Sequence, residues 1–387
     1  MWRAGRTGTL PVVPNIVLML VLSVFVLLVR LDHGSLDDWD EAVYTQMARE
    51  MLQTGDWLVP QWGYEPFPHK PPLYIWFVAS SFKSPGISEF SARLPSALAG
   101  IALVVLTYAI GRAVYGRAAG LLAGVLLLTS SGFVWFARYV TIDTTVTRFI
   151  YLAIGGYRRI TYHRQPAYWY VVWGAVALAF LTKSAAAFVG VAPIVVDVLM
   201  YRNVRLTLGS RHFWGGALIG ALVLIPWHGN MYYRLSSEFI DQYVFVNVLN
   251  RTTSTVDGNS GDGFYCLRVL YVQFLPWVFL LPLALARALI QYRVSPPGER
   301  LMVMLTFLPL VTYSSFDTKL PWYLTPVYPA AMILVASLLV GIAQTRGRIA
   351  TASIAIVTAL SVVAMVAIRP EHPLGIARTG QPPPKIW

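Results

Sequence analysis

The residues of this chain that could do chemistry lie in a few short stretches beside apolar runs. Asp32, Asp37, Asp38, Asp40 and Glu41 form a carboxylate cluster just after the first apolar run. Lys70 stands in FPHKPPLY, Asp143 in RYVTIDTT, Lys183 in FLTKSAAA and Lys319 in FDTKLPWYLTPVYP. Taken singly, each has a plain structural reading: a solvated loop for the cluster, a snorkelling amine for Lys70, a helix cap for Asp143. Taken together they read differently. Apart from Lys83 and Lys385, every lysine falls at an outer membrane boundary, whereas the inner loops use arginine alone. Outer lysines run against the positive-inside tendency, so an anion on that side is expected to compensate them. A lipid-linked phosphate fits: lysine binds phosphate as a point charge, and Arg138 and Arg251 would add forked contacts. A carboxylate held beside such a phosphate suits a general base that deprotonates a hydroxyl acceptor in glycosyl transfer, while the cations stabilise charge on the departing phosphate. Glycoside hydrolysis fits less well, because there an acid must protonate a poor leaving group.

Other chemistries find little support. No His pair at ligand spacing occurs, and the one cysteine, Cys266, has no partner for a disulfide or a thiolate metal site. Cys266 is expected to pack in the core or face lipid. No cofactor is required, and a divalent metal is the one candidate addition. The net charge of +12 comes from residues scattered over cytoplasmic loops, which points to anionic lipid headgroups and not to nucleic acid.

The elements that position these residues are membrane helices. At 56% hydrophobic and 12% charged, the 387-residue chain is too apolar for an ordinary soluble domain. Apolar runs near spanning length cover 14–31, 89–110, 118–137, 212–228, 264–290, 301–316, 322–343 and 349–368, and shorter ones cover 144–157, 167–182 and 184–201. That makes eleven crossings in an all-α integral membrane protein. The run at 72–82 is too short to cross and is expected to lie at the interface. With a cytoplasmic N-terminus, 15 arginines fall on inner loops against only Glu299 and Asp197, and counting 72–82 as a span would reverse every later loop. The first apolar run is followed by no small-residue cleavage site, so it is expected to be a retained helix. The transmembrane domain is thus 1–368, its two long outer segments 32–71 and 229–263 carry the site, and 369–387 is a proline-rich tail.

Within the first outer loop, Asp37 or Asp38 is a suitable N-cap and Gly55 a suitable C-cap for a helix of about four turns. Tyr44, Met47, Ala48, Met51 and Leu52 would share its buried face, opposite Glu41, Thr45, Gln46, Arg49 and Glu50. Asp40 and Glu41 would sit in its first turn, near the positive end of the helix dipole. The many tryptophans and tyrosines read mainly as an interfacial belt, and His69 and His228 as polar interface residues.

The stretches DEAVYTQMAREMLQTGDWLVP, HKPPLYIW, SARLPSALAG, RYVTIDT, AFLTKS, NVLNRTTSTVDGNSG and TKLPWYLTPVYPA, in this order, resemble polyprenyl-phosphate-sugar-dependent membrane glycosyltransferases. These are the lipid A aminoarabinose transferases and protein O-mannosyltransferases. The resemblance implies a C-type glycosyltransferase fold and inverting transfer from a polyprenyl-phosphate-linked sugar to a lipid, glycan or protein acceptor, on the outer face of a bacterial inner membrane. It implies that Asp40, with Glu41, carries the catalytic base, that Lys70 meets the donor phosphate, and that Asp143 lies near donor and acceptor. Lys183 and Lys319 fall in motifs of the same family, and Tyr323, with Tyr44, is implied as a cavity residue. The chain departs from the family where Val43 replaces an arginine, His69 a glutamate, and where Asn247 lies near a usual histidine; a soluble C-terminal outer domain is not expected here. Two other readings bind the same headgroup without breaking its bond: a transporter or flippase for lipid-linked sugars, and a noncatalytic scaffold. A transporter would show internal repeats and ionisable groups deep in the bilayer, where only Arg148 is found.

Overall fold

The structure is a computed structural model that describes residues 12–37, 39–201, 204–255, 259–291 and 298–347, with 352, 354–356, 358 and 359. Asp38, the side chain of Arg251, most of the expected span 349–368 and the tail 369–387 lie outside the described residues. The helices are α1 (Val12–Leu28), α2 (Asp40–Thr54), α3 (Leu73–Phe82), α4 (Glu89–Tyr115), α5 (Arg117–Leu128), α6 (Ser131–Ala137), α7 (Ile142–His163) and α8 (Trp169–Tyr201). They continue as α9 (Val204–Leu208), α10 (Arg211–Phe239), α11 (Arg251–Thr253), α12 (Tyr265–Gln273), α13 (Leu281–Ile290), α14 (Glu299–Ser315) and α15 (Val327–Arg346). A two-stranded ribbon, β1 (Gln61–Trp62) with β2 (Glu65–Pro66), is the sole sheet among the described residues.

By length and apolar content alone, three of these helical stretches, Glu89–Tyr115, Pro166–Tyr201 and Val327–Arg346, suffice to cross a membrane, the second of them counted across a break at Lys183. A fourth crossing is available if α5 and α6, bent by 70° at Thr129 and Ser130, act as one span. Apolar side chains on α1 (Val17, Val21, Phe25) and α10 (Leu218, Leu222, Ile225) are exposed and suit contact with lipid tails. The 72–82 run forms the ten-residue helix α3, about 15 Å long, which is half of a hydrocarbon core.

The apolar pattern at 167–201 separates into two runs, and contacts along α7 give the reason. Lys183 has extended backbone angles (φ −159°, ψ 92°) inside α8. Its amine meets Asp143 at the start of α7. Before the break, Val172 packs where a Cβ on Gly156 would sit, 3.2 Å away; after it, Gly190 abuts Ile150 and Asp197 bonds Tyr157 at 2.7 Å. The pairs 143–183, 150–190 and 157–197 keep one offset, so 184–201 runs along α7, whereas 169–182 runs against it. Phe180 and Phe188 touch across the break with ring centroids 4.5 Å apart, a spacing that a straight helix forbids, since eight residues rise about 12 Å. The chain therefore folds back at Lys183. The far end of this unit is closed by Asp197, which accepts from Tyr157 and from Arg300 of α14 at 2.6 Å.

Helix α2 ends as expected, with Gly55 at φ 73° donating to Met51. Its start differs from expectation: Trp39 precedes it with no side-chain cap, and the Glu41 carboxylate instead accepts from the Asp37 N–H at 3.1 Å. The helix face also differs, because Glu41 and Glu50 are buried along with Tyr44, Met47, Ala48 and Met51. Glu50 is buried by holding the ribbon turn, accepting from the N–H groups of Gly63 and Tyr64 at 3.0 and 2.9 Å. Cys266 is buried in the main core.

Candidate active site

Glu41 is the anchor of the first outer loop. Its two oxygens meet Arg93 of α4 in a forked ion pair, Nε to Oε1 and Nη2 to Oε2, both at 2.9 Å. The remaining donors of Arg93 reach the carbonyls of Leu31, His33, Gly34 and Ser35 at 3.0–3.2 Å. One guanidinium thus ties the exit of α1 to the first turn of α2. Oε1 also accepts from the Val140 N–H at 2.9 Å. With every lone-pair direction engaged, and 1% exposed, Glu41 is placed to position its neighbour and is not placed to exchange a proton with a substrate. Arg93 was absent from the sequence-derived site; a cation inside an expected span was the available signal.

Asp40, next along the same turn, is only half-buried. Tyr44, one turn on, is buried edge-on against Tyr74 of α3, with centroids 5.6 Å apart. The Tyr74 hydroxyl shares a proton with Ser96 at 2.7 Å. Burial, then the charges of Glu41 and Asp40, push that hydroxyl well above its ordinary range, so it stays protonated beside the carboxylates.

The same loop that meets Glu41 leads into Asp143. From Val140 to Asp143 is three residues, at most about 11 Å of chain. Asp143, 2% exposed, pairs with Lys183 at 2.7 Å and accepts from the Thr141 hydroxyl at 3.1 Å. The Lys183 amine also lies 5.1 Å from the Tyr323 ring centroid, and Tyr323 packs on Tyr313 at 4.8 Å. Thr144, Thr147 and Tyr313 each bury a hydroxyl oxygen with no hydrogen-bond partner among the described residues. Asp143, Thr144 and Thr147 share a helix face by their spacing. Asp143 is near enough to act electrostatically on Tyr313. Unpartnered buried hydroxyls are costly, at about 1–3 kcal/mol each, and are a form of order that polar ligands resolve.

Lys70 lies just before α3, across from the second outer loop. Its amine donates to Asn247 Oδ1 at 3.2 Å in the wide-turn π-helix Ile240–Asn250. Other expected phosphate ligands sit elsewhere. Arg138 donates to the carbonyls of Val26 and Arg30 at 2.8 and 3.0 Å, completing the C-terminal end of α1. Lys319 donates to the carbonyls of Ser314 and Phe316, doing the same for α14. Helix ends present partial negative charge and orphan carbonyls, and both cations answer it. Lys183 likewise spends its charge on Asp143. Among the described residues no three His, Cys, Asp or Glu side chains converge into a metal-binding group.

Comparison with known proteins agrees with this architecture. Residues 69–229 match the dolichyl-phosphate-mannose-protein mannosyltransferase family. Sequence and fold together make the chain a relative of the polyprenyl-phosphate-sugar-dependent membrane glycosyltransferases. It is 31% identical over 305 residues to an Aquifex aeolicus protein, covering 78% of this chain and 59% of that one. It is 28% identical over 365 residues to an undecaprenyl phosphate-alpha-4-amino-4-deoxy-L-arabinose arabinosyl transferase of Sodalis glossinidius, covering 91% and 63%. In structure it is similar to ArnT from Cupriavidus metallidurans bound to undecaprenyl phosphate, with TM-score 0.72, 25% identity and coverage of 92% and 65%. The archaeal oligosaccharyltransferase AglB from Archaeoglobus fulgidus shares the fold at TM-score 0.62 and 13% identity, with coverage of 92% and 55%. The chain spans about three fifths of the length of the curated relatives it matches.

Proposed function

We propose that this chain transfers a sugar, with inversion, from a polyprenyl-phosphate carrier to a hydroxyl or amine of a lipid, glycan or protein acceptor at the outer face of a bacterial inner membrane. Asp40 takes the acceptor proton as the new bond to the anomeric carbon forms; the carbon–oxygen bond to phosphate breaks, and its electron pair leaves on the phosphate. Lys70 meets that phosphate, and Arg251 is a further candidate. Glu41 holds Asp40 through Arg93 and Val140, while Asp143, Lys183, Tyr44 and Tyr323 line the sugar side. The buried hydroxyls of Thr144, Thr147 and Tyr313 suit the hydroxyl-rich face of a sugar. The chain crosses the bilayer eleven times from a cytoplasmic N-terminus, with the fold-back at Lys183 separating two crossings.

The observation that carries this reading is the tie from Glu41 Oε1 to the Val140 N–H, because it joins the first turn of α2, which carries half-buried Asp40, to the segment that leads into buried Asp143. The kinship to an undecaprenyl phosphate-aminoarabinose transferase, and to a structure with undecaprenyl phosphate bound, supports a lipid-phosphate donor. The test is transfer from a radiolabelled polyprenyl-phosphate-sugar donor by purified protein in lipid, with a crude lipid and glycan acceptor pool. Asp40→Asn should abolish transfer and keep donor binding; Lys70→Ala should weaken donor binding. Wild-type protein that binds donor and never breaks its bond would instead support a flippase or scaffold.

A further inference from the structure

Asn247 lies 177 residues from Lys70 in sequence, yet its carboxamide joins the two outer loops. Its side chain is buried, with 7% of the residue exposed, and uses both ends. Oδ1 accepts from the Lys70 amine at 3.2 Å; Nδ2 donates to the Gln242 carbonyl at 3.0 Å and to His69 Nδ1 at 3.1 Å. This orientation is forced chemically. An ammonium only donates and a carbonyl only accepts, so neither contact survives a flip of the amide. His69 Nδ1 must therefore accept, which puts the ring proton on Nε2. The Phe67 ring, 4.6 Å from the imidazole by centroids, holds that ring in place.

We propose that Asn247 is the positioning residue for the donor-phosphate cation: it fixes the Lys70 amine and closes the Ile240–Asn250 segment onto the first outer loop. This rests on the reading of Lys70 as a phosphate ligand. A neutral acceptor suits the task, because it aims the ammonium without neutralising it. A π-helix supplies the placement: its wider turn, rare in proteins and common at functional sites, shifts side chains out of α-helical register. The flanking π-helical turn also lets Asn247 reach Gln242, five residues back.

The experiment compares wild type, Asn247→Leu, Asn247→Asp and Lys70→Ala in lipid, reading the Kd for polyprenyl monophosphate, donor KM, kcat and thermal unfolding. Asn247→Leu removes the aim at similar size, and should raise donor KM and Kd about tenfold with kcat changed less than about threefold, as for a lost bond to a charged group. Asn247→Asp keeps a partner for Lys70 but cancels its charge, so it should raise both constants at least as far, and this excess should fade in high salt. A merely structural role would not produce that salt dependence. Should Asn247→Leu fail to fold, Asn247→Asp decides alone. If both variants fold and leave KM and Kd unchanged while Lys70→Ala raises them, the positioning role is overturned and the phosphate reading stands. If Lys70→Ala itself leaves them unchanged, the phosphate reading falls first.

Discussion

Asp143 and Lys183 meet at 2.7 Å at the point where α8 folds back along α7, so a buried charge pair marks one end of a three-legged helical unit. At the other end, 14 residues and about 21 Å along α7, Asp197 joins Tyr157 and Arg300. The fold-back has an electrostatic cause as well as a steric one. Lys183 breaks helical geometry, and its amine is then free to leave the apolar face and reach a carboxylate.

Removing one member of the Asp143–Lys183 pair should destabilise strongly, by about 3–5 kcal/mol, because the other charge is left buried alone. Asp143→Asn and Lys183→Met should each lower the unfolding midpoint in detergent. The double variant should lose clearly less than the sum of the two, and simple additivity would show that the pair is not coupled.

The Arg93 hub predicts a local failure. Arg93→Lys keeps the charge and loses the fork and most of the carbonyl contacts, costing about 2–4 kcal/mol by loss of a buried network. Limited proteolysis should then cut within 31–37 faster than in wild type. A cleavage rate equal to wild type would mean that the loop is held by other contacts.

Asp56 provides a pH-dependent tie between the loop after α2 and the end of α10. Burial pushes its carboxyl up, but the N–H groups of Val59 and Leu58 and the Arg234 guanidinium outweigh it and hold it below its ordinary 3.8. A depressed folded value means the stabilisation is present above about pH 4 and is lost as pH falls through the lower folded value. Arg234 meets Asp56 at 2.6 Å at a partly exposed site, so the contribution should also shrink with salt. Acid unfolding of Asp56→Asn should be flatter below pH 4 than that of wild type; superimposable acid limbs would refute the tie.

Tyr313→Phe and Thr147→Val remove buried hydroxyls that have no partner among the described residues. Stability should hold or rise, by up to about 1 kcal/mol, since no bond is broken and a desolvation cost disappears. If those hydroxyls meet the sugar, transfer should fall about tenfold while polyprenyl monophosphate binding is unchanged. Unchanged transfer would move the sugar site away from this face of α7.

Sidedness is open to a direct chemical check, because Cys266 is the one cysteine of the chain and is buried. In a Cys266→Ser background, a cysteine at exposed Tyr64 should react with an impermeant maleimide in spheroplasts, and one at Thr207 only after lysis. The reverse pattern would invert the topology.

Periodicity, length and punctuation made much of this molecule legible. Gly55 ended α2 because a left-handed cap is local chemistry, and the short apolar run at 72–82 stayed a short helix because length alone denies it a crossing. The ordered motifs carried the resemblance that the comparisons support. Side-chain partners were less legible. The sequence shows Lys319 and Arg138 as outer cations, but whether such a cation faces a ligand or caps a helix depends on which carbonyls the fold brings within about 3 Å. Glu50 was expected on the exposed face and is buried, since a ribbon turn from a later stretch folds over it.

What the sequence by itself determined is therefore the solvent of the protein, its helical class, the loops that hold its carboxylates, and the kinship those loops announce. These follow from apolar content and from contacts within a few residues. Tertiary structure alone decided that Glu41 answers Arg93, that Asp143 answers Lys183, and that Asn247 answers Lys70. These partners lie 52, 40 and 177 residues apart. Polar groups withdrawn from water take the partner that packing delivers, and only the closed fold determines which one that is.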